Sequence, residues 1–317
     1  MAAPQDKCDL KRNAPEESLG ASLPAYHKDF SSVDSDIVLA SSDGTLYRIH
    51  SYTLRTTSGL FRTILSLPPP PGGHSPSPIE IHEPDAVVEP LLRLMCGFAT
   101  PPWPSLDALS AVLSLAEKWS APGPVAFLHT ALSADTFLSA DPLRIYALAT
   151  HFGWRATAQR AAAATLTLDL SAPAHAPRLS QLAARALLAL LRLHRTRRDA
   201  LRALLDSPER FLAGNGAPFH CAACAVTPLD NTSWRALKHR IFREADARPR
   251  ADALGVCVGG MQAWPETRAC WAARCTKPGC GSVNYDRLGT VKQLRACVVS
   301  LPSEVDLDWM DQTISID

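Results

Sequence analysis

The sequence predicts an α+β domain, with a small mixed sheet and packed helices, followed by a mostly α-helical C-terminal region. Three observations predict this: a hairpin pattern joined to a helix near the N-terminus, helical periodicity in the middle, and paired cysteines near the end. The chain of 317 residues can hold about two domains of roughly 150 residues each. Its 46% hydrophobic and 20% charged residues are typical of a soluble globular protein.

Residues 35–67 predict a β-hairpin that leads directly into a helix. The apolar run at 37–39 is typical of a buried strand, residues 42–44 of a tight turn, and residues 45–50 alternate as a returning strand. Ser51 is then expected to cap a helix. Two stripes follow at helical spacing: Leu54, Ser58, Phe61 and Leu65, and beside them Leu60, Ile64 and Leu67. We therefore expect this helix to be largely buried.

This unit resembles the opening of the BTB/POZ domain, whose pattern runs Asp, apolar strand, turn, aromatic strand ending in His, and a helix with Leu, Ser and Phe. The matching residues are Asp36, Gly44, Tyr47, His50, Leu54, Ser58 and Phe61. The similarity continues through a strand at 79–81, a helix at 91–98 and the segment 106–119, so it covers roughly residues 34–133. Within the family the chain is most similar to a large fungal group, in which a segment such as 141–149 follows the core.

The resemblance implies self-association, as a homodimer, and recruitment of other proteins. It also implies that His50 is a buried structural residue at the corner between strand and helix. In transcription-regulating relatives Lys or Arg follows this His, whereas Ser51 stands here, so Asp36 lacks that partner. Cullin-3 adaptors commonly carry a hydrophobic-x-Glu motif before the third strand. The loop at 68–78 contains no acidic residue, which makes cullin-3 a weak candidate partner.

Composition divides the chain into four parts. Residues 1–30 are polar and lack periodicity, so we expect a disordered tail. The BTB/POZ domain is expected over 31–135, with an interrupting Pro/Gly-rich loop at 68–78. The tetraproline of that loop could bind an SH3 or WW domain, although a surface insertion is the simpler interpretation. A helical extension over 136–212 and a cysteine-containing module over 213–317 follow.

Helix signals are clear in the middle of the chain. Asp141 and Pro142 predict the start of a helix that closes before Gly153, and a longer helix is expected over 180–205. The apolar face of the longer helix comprises Leu182, Ala186, Ala189, Leu190, Leu193 and Leu204. Its other face carries Arg185, Arg192, Arg195, Arg197, Arg198 and Arg202. This arginine stripe could bind an acidic partner or phosphates, but we favour a solvated helix face because no aromatic residues alternate with the arginines.

The end of the chain carries a candidate zinc site. Cys221 and Cys224 have the C-x-x-C spacing that lets two thiolates reach one ion, and Cys275 and Cys280 flank a turn-forming sequence. Substitute ligands are Cys270, Cys257, Cys297 and His220. The alternative is that these cysteines are small buried hydrophobic residues and free thiols. The fungal proteins often end in paired cysteines around a Trp-containing helix, which would lie here at 234–245.

Charge and targeting signals restrict the setting. A net charge of +1 argues against electrostatic attraction to nucleic acid or membrane. The first 25 residues contain no apolar segment of a secretory signal, and no uncharged apolar run approaches the ~20 residues that span a bilayer. We therefore expect an intracellular protein, cytoplasmic or nuclear, that is not secreted. Its nine cysteines are then expected to be thiols or metal ligands.

The sequence thus predicts a non-enzymatic adaptor that self-associates and recruits partners, with a cullin-3 substrate adaptor as one form. The alternative is a transcriptional regulator with a zinc-stabilised C-terminal module, but the helix at 234–245 has no Asn or Gln to read adenine. A thiol enzyme is less favoured because it needs a base beside the cysteine in space. His220 does not provide this, since adjacent side chains in an extended segment point to opposite faces.

Overall fold

The computed structural model describes most of the chain in two compact units, residues 1–131 and residues 132–317. The described ranges are 25–68, 77–216, 219–251 and 260–311. Most of the tail expected at 1–30 and of the loop expected at 68–78 lies outside them. The helical extension and the cysteine-containing module predicted from the sequence both fall within the second unit.

The first unit joins a small sheet to a set of helices. Its elements are β1 (Ile37–Ala40), β2 (Leu46–Ile49), α1 (Ser51–Thr57), α2 (Gly59–Ile64), β3 (Ile79–Glu80), α3 (Asp85–Cys96), α4 (Leu106–Lys118) and α5 (Pro122–Leu132). The strand order is β2-β1-β3. Strand β1 pairs antiparallel with β2, with Ile37 opposite Ile49, and parallel with β3, with Leu39 opposite Ile79. The predicted mixed sheet with packed helices is therefore present.

The helix predicted from Ser51 onward is two helices, because Ser58 has extended backbone between α1 and α2. The Ser58 hydroxyl donates to the Trp119 carbonyl over 2.6 Å and accepts from the Phe61 N–H, so it caps α2. The expected burial applies to only one of the two stripes. Leu54, Ser58 and Phe61 are buried, whereas the Leu67 side chain is 65% exposed. An interrupted helix cannot present both stripes to one core.

The prediction that His50 is buried is wrong. The Ile49 side chain is buried and that of His50 is exposed, because successive side chains at the end of β2 point to opposite faces. His50 rather than Ser51 is also the N-cap position of α1. Ser51 instead donates to Asp36, from its backbone N–H over 2.7 Å and from its hydroxyl over 2.5 Å. Asp36 therefore has a partner, although not a basic one.

The second unit is helical in its described residues. Its elements are α6 (Asp135–Ala140), α7 (Pro142–His151), α8 (Arg155–Thr165), α9 (Ala176–Leu179), α10 (Ala184–Asp206), α11 (Leu212–Asn215), α12 (Thr232–Ala247), α13 (Pro265–Ala272), α14 (Arg287–Val299) and α15 (Asp308–Asp311), with 3₁₀ turns at Pro173–His175 and Met261–Ala263. The predicted start at Asp141 is confirmed, since its carboxylate accepts from the Arg144 N–H that begins α7. None of the helices within the described ranges is both long and apolar enough to cross a lipid bilayer.

Helix α10 begins later than predicted and does not present all its arginines to solvent. Ser180 closes α9, so Leu182 precedes the long helix. Arg197, expected on a solvated face, is only 6% exposed. Its guanidinium donates to the carbonyl oxygens of Pro249, Leu301 and Pro302 over 2.6, 3.1 and 2.8 Å. The three carbonyls lie outside helices and strands and need a donor. The buried guanidinium supplies it, and so joins α10 to the segments at 249 and at 301–302.

Candidate metal centre

The first pair of cysteines lies in a tight loop between α11 and α12. An antiparallel bridge joins His220 to Pro228, and the Cys221 N–H donates to the Thr227 carbonyl over 3.0 Å. Ala225 has a φ of 54°, in the left-handed region that non-glycine residues rarely adopt. This turn reverses the chain directly after Cys224, so that the Cys221 and Cys224 side chains face the same point.

The second pair lies in a matching loop between α13 and α14. Arg274 and Val283 form an antiparallel bridge, and the Cys275 N–H donates to the Ser282 carbonyl over 2.9 Å. Gly279 has a φ of 80°, which a glycine adopts without strain. Proline and glycine in the sequence between the two cysteines therefore build the turn that the spacing predicted.

The two loops bring four sulfur atoms together. The Sγ atoms of Cys221 and Cys280 are 3.7 Å apart, and those of Cys224 and Cys275 are 3.9 Å apart. All four sulfurs lie within 4.8 Å of one another. In a tetrahedron with metal–sulfur bonds of about 2.3 Å, sulfurs are separated by about 3.8 Å. The cluster therefore has the donor type, number and spacing of a closed four-thiolate site.

Hydrogen-bond donors around the cluster favour ionised sulfur at two positions. The Ser282 hydroxyl, with the Cys224 N–H, lowers the pKa of Cys221. The Thr227 hydroxyl and the N–H groups of Val226 and Thr227 lower the pKa of Cys224 to about 5. These donors stabilise the thiolate, which is the form that binds a metal.

Cys275 behaves in the opposite way. The N–H of Lys277 lowers its pKa, but burial and the neighbouring thiols of Cys221 and Cys280 outweigh this and raise the pKa to about 11. Four adjacent thiolates repel one another unless a cation lies between them. A divalent ion would remove that repulsion, so its binding is expected to release protons.

The substitute ligands do not join the cluster. Cys270 and Cys297 are fully buried in the hydrophobic core around α12, and burial raises the pKa of Cys270 to about 12. Both belong to the same buried cluster as Leu294. The cluster contains no histidine, and His220 is exposed. Cys257 lies outside the described residues.

Sequence reasoning missed the two hydroxyls that support the cluster. The Ser282 Oγ atom lies 3.0 Å from the Cys221 sulfur and 3.3 Å from the Cys280 sulfur. The Thr227 hydroxyl lies 3.5 Å from the Cys224 sulfur. A signal was present, since each hydroxyl residue follows its pair by two or three positions. Each loop therefore supplies one hydroxyl to the sulfurs as well as two thiols.

A second group of possible ligands lies in the first unit. His27, Asp29 and Glu89 offer ligand atoms within 4.8 Å of one another. However, the Arg93 guanidinium contacts Asp29 and donates to Glu89 over 2.8 Å. One guanidinium thus pairs with both carboxylates, and the His27 ring lies 3.5 Å from Glu89, so these side chains form an ion-pair network.

Three of the residues that carry the family resemblance lie together in the core of the first unit. Leu54, Ser58 and Phe61 pack inward, and the Phe61 ring meets the Trp119 ring edge to face at 5.0 Å. No protein-family model and no curated protein sequence matches the chain. These contacts establish an α+β unit and do not by themselves identify a family.

Proposed function

We propose that the second unit holds a structural zinc ion at Cys221, Cys224, Cys275 and Cys280. The observation that carries this is the convergence of four sulfurs at tetrahedral spacing from two loops about fifty residues apart in sequence. Zinc is the metal that such a site usually binds, because the ligands are soft and tetrahedral. Four thiolates leave no open position for water or substrate, so the ion serves folding and not catalysis.

We propose further that the protein is a non-enzymatic interaction adaptor, in which a BTB/POZ-like first unit self-associates. The order of elements over 34–133 supports the resemblance, as does the inward packing of three of the signature residues, Leu54, Ser58 and Phe61. Apolar side chains are also exposed there, with Val33 81%, Tyr52 77% and Leu67 65% accessible. A second copy of the chain could cover such side chains, as the interface of a homodimer does. The second unit would then carry the recruited partner.

The chemistry of the cysteines fits a reducing compartment. The seven cysteines within the described ranges are free of disulfides. Thiolates that hold zinc remain reduced in the cytoplasm or nucleus. We therefore propose an intracellular location, with cullin-3 as a candidate partner of the first unit.

Native mass spectrometry of the full-length protein, prepared with zinc and again after chelation, tests both proposals separately. A dimer that carries one zinc per chain would support both. A monomer with zinc would contradict self-association and support the metal site. A dimer that carries no zinc at any added zinc concentration would contradict the metal site only. Cys224→Ser should abolish zinc binding, while Cys96→Ser in the first unit is the matched control and should retain it.

A thiol enzyme is the alternative that the low pKa of Cys224 favours. In that case Cys224 would react with iodoacetamide much faster than the other cysteines in the zinc-loaded protein. We expect instead that Cys224 and the other three cysteines of the cluster react slowly with iodoacetamide while zinc is bound, because the ion protects all four thiolates. After chelation all four should become reactive together.

A transcriptional regulator is the other alternative, favoured by the exposed basic residues Arg235, His239 and Arg243 on α12. It predicts binding to duplex DNA that weakens steeply with salt and depends on base sequence. An adaptor predicts no sequence-dependent binding in the same titration.

A further inference from the structure

A groove with an apolar floor lies between α10 and α12 in the second unit. Its floor is formed by Leu205, which is buried, and Phe242, which is half-buried. Its volume is about 290 Å³. Pockets for small molecules usually enclose roughly 300–1,000 Å³, so this groove is at the lower limit of that range. It suits one apolar side chain of a larger partner better than a whole small molecule.

The rim of the groove is cationic. Arg202, Arg235, Lys238 and His239 line it, and within the described residues Asp206 is the one carboxylate among the lining side chains. The Lys238 ammonium donates to Asp206 over 2.7 Å, and Arg202 is 4.0 Å from the same carboxylate. One negative charge is thus shared by two cations, and the groove keeps a net positive charge.

Two of the cations are placed to meet a partner. Arg235 is exposed in the first turns of α12, and Asp230, the carboxylate that its charge acts on, lies outside the lining. The Arg202 guanidinium lies over the Phe242 ring, 5.3 Å from its centroid. That contact holds a flat cation above the apolar floor, where the N–H groups on its outer edge can donate to a carboxylate.

The same contact argues against a nucleic acid. Binding of single-stranded nucleic acid without base readout uses aromatic faces on which bases stack. Among the described residues of the lining, Phe242 supplies the one phenyl ring, and Arg202 covers it, so the His239 imidazole is the other ring present. Carboxylates around a single apolar side chain match the groove in both charge and shape.

We propose that the α10–α12 groove binds an acidic peptide segment of a partner protein, with one apolar side chain on Leu205 and Phe242 and flanking carboxylates on Arg202 and Arg235. This deepens the proposed adaptor function, because it names the chemical class of the recruited segment. It does not depend on dimer formation or on the identity of the metal.

The test is fluorescence anisotropy with the zinc-loaded full-length protein and two labelled peptides. One peptide alternates Asp or Glu with Leu or Phe, and the other carries Asn or Gln in place of each acid. The acidic peptide is expected to bind at least about tenfold more tightly, and Arg235→Glu should weaken its binding by about tenfold or more. Arg235 lies near the start of α12, where Glu is compatible with the helix dipole, so the variant should fold.

The matched control is Arg185→Glu, an equal charge change on an exposed residue in the first turn of α10. Position 185 lies about 25 Å along the helix from position 202, beyond the Debye length of about 10 Å. It should leave the affinity unchanged. Equal binding of both peptides, equal loss in the two variants, no binding of the acidic peptide, or its displacement by single-stranded nucleic acid would overturn the proposal.

Discussion

The first unit and the C-terminal part of the second unit are stabilised in different ways. The first unit builds its core from short strands and helices whose apolar faces meet, with Leu39, Leu54 and Phe61 all buried. The second unit contains loops at 219–231 and 273–286 that hold no helix and no strand beyond a single bridge each. Those loops are joined at the cysteine cluster, and buried Arg197 joins other irregular segments. Where regular structure is sparse, polar cross-links replace part of the apolar packing.

The largest expected effect is the loss of stability of the second unit when its zinc ion is removed. Cys275→Ser should remove zinc and destabilise the second unit by more than about 5 kcal/mol, since structural zinc contributes about 10 kcal/mol or more to folding. The first unit should keep its own unfolding transition. Differential scanning calorimetry with and without chelator measures both transitions. Cys96→Ser is the control, and a variant that still binds zinc would contradict the cross-link.

The second prediction concerns the arginine cross-link. Arg197→Met should lower the free energy of unfolding by about 3 kcal/mol, because it leaves buried carbonyl oxygens without their charged donor. Arg195→Met, on an exposed position of the same helix, should change stability by no more than about 0.5 kcal/mol. Urea unfolding of both variants measures this. Equal effects would mean that the carbonyls find other donors.

The third prediction concerns pH. Burial, together with the charge of Arg197, lowers the pKa of His194 from 6.5 to about 4. The unfolded chain therefore binds a proton at higher pH than the folded chain does. Stability is fully present above pH 6.5 and decreases as the pH falls toward 4, by up to about 3 kcal/mol. The difference in unfolding free energy between wild type and His194→Gln should follow this course, and a constant difference would refute it.

The smallest effect is expected in the first unit. Ser58→Ala removes the cap of α2 and the donor to the Trp119 carbonyl, which should lower stability by about 1–2 kcal/mol. Ser66→Ala removes an exposed hydroxyl that donates to the Thr63 carbonyl, and it should have little effect. Thermal unfolding of the pair compares them. A loss as large as that of Cys275→Ser would mean that the first unit also depends on a polar cross-link.

Local patterns predicted much of the fold. The hairpin at 37–49 and the cap at Asp141 follow from alternation and from turn and cap residues, all of which act over a few residues. The break at Ser58 was not predictable in the same way, because it depends on the Trp119 carbonyl some sixty positions away. Burial of Arg197 likewise depends on carbonyl groups about fifty and one hundred positions away.

The candidate site shows the same division. Spacing alone identified two cysteine pairs but kept Cys270, Cys257, Cys297 and His220 as substitutes. The sequence by itself determined which residues can serve as ligands, because thiol chemistry and turn geometry are local properties. Only the tertiary structure decided which four meet, since an apolar core surrounds Cys270 and Cys297 while two reversed loops bring the sulfurs of Cys221 and Cys280 to 3.7 Å.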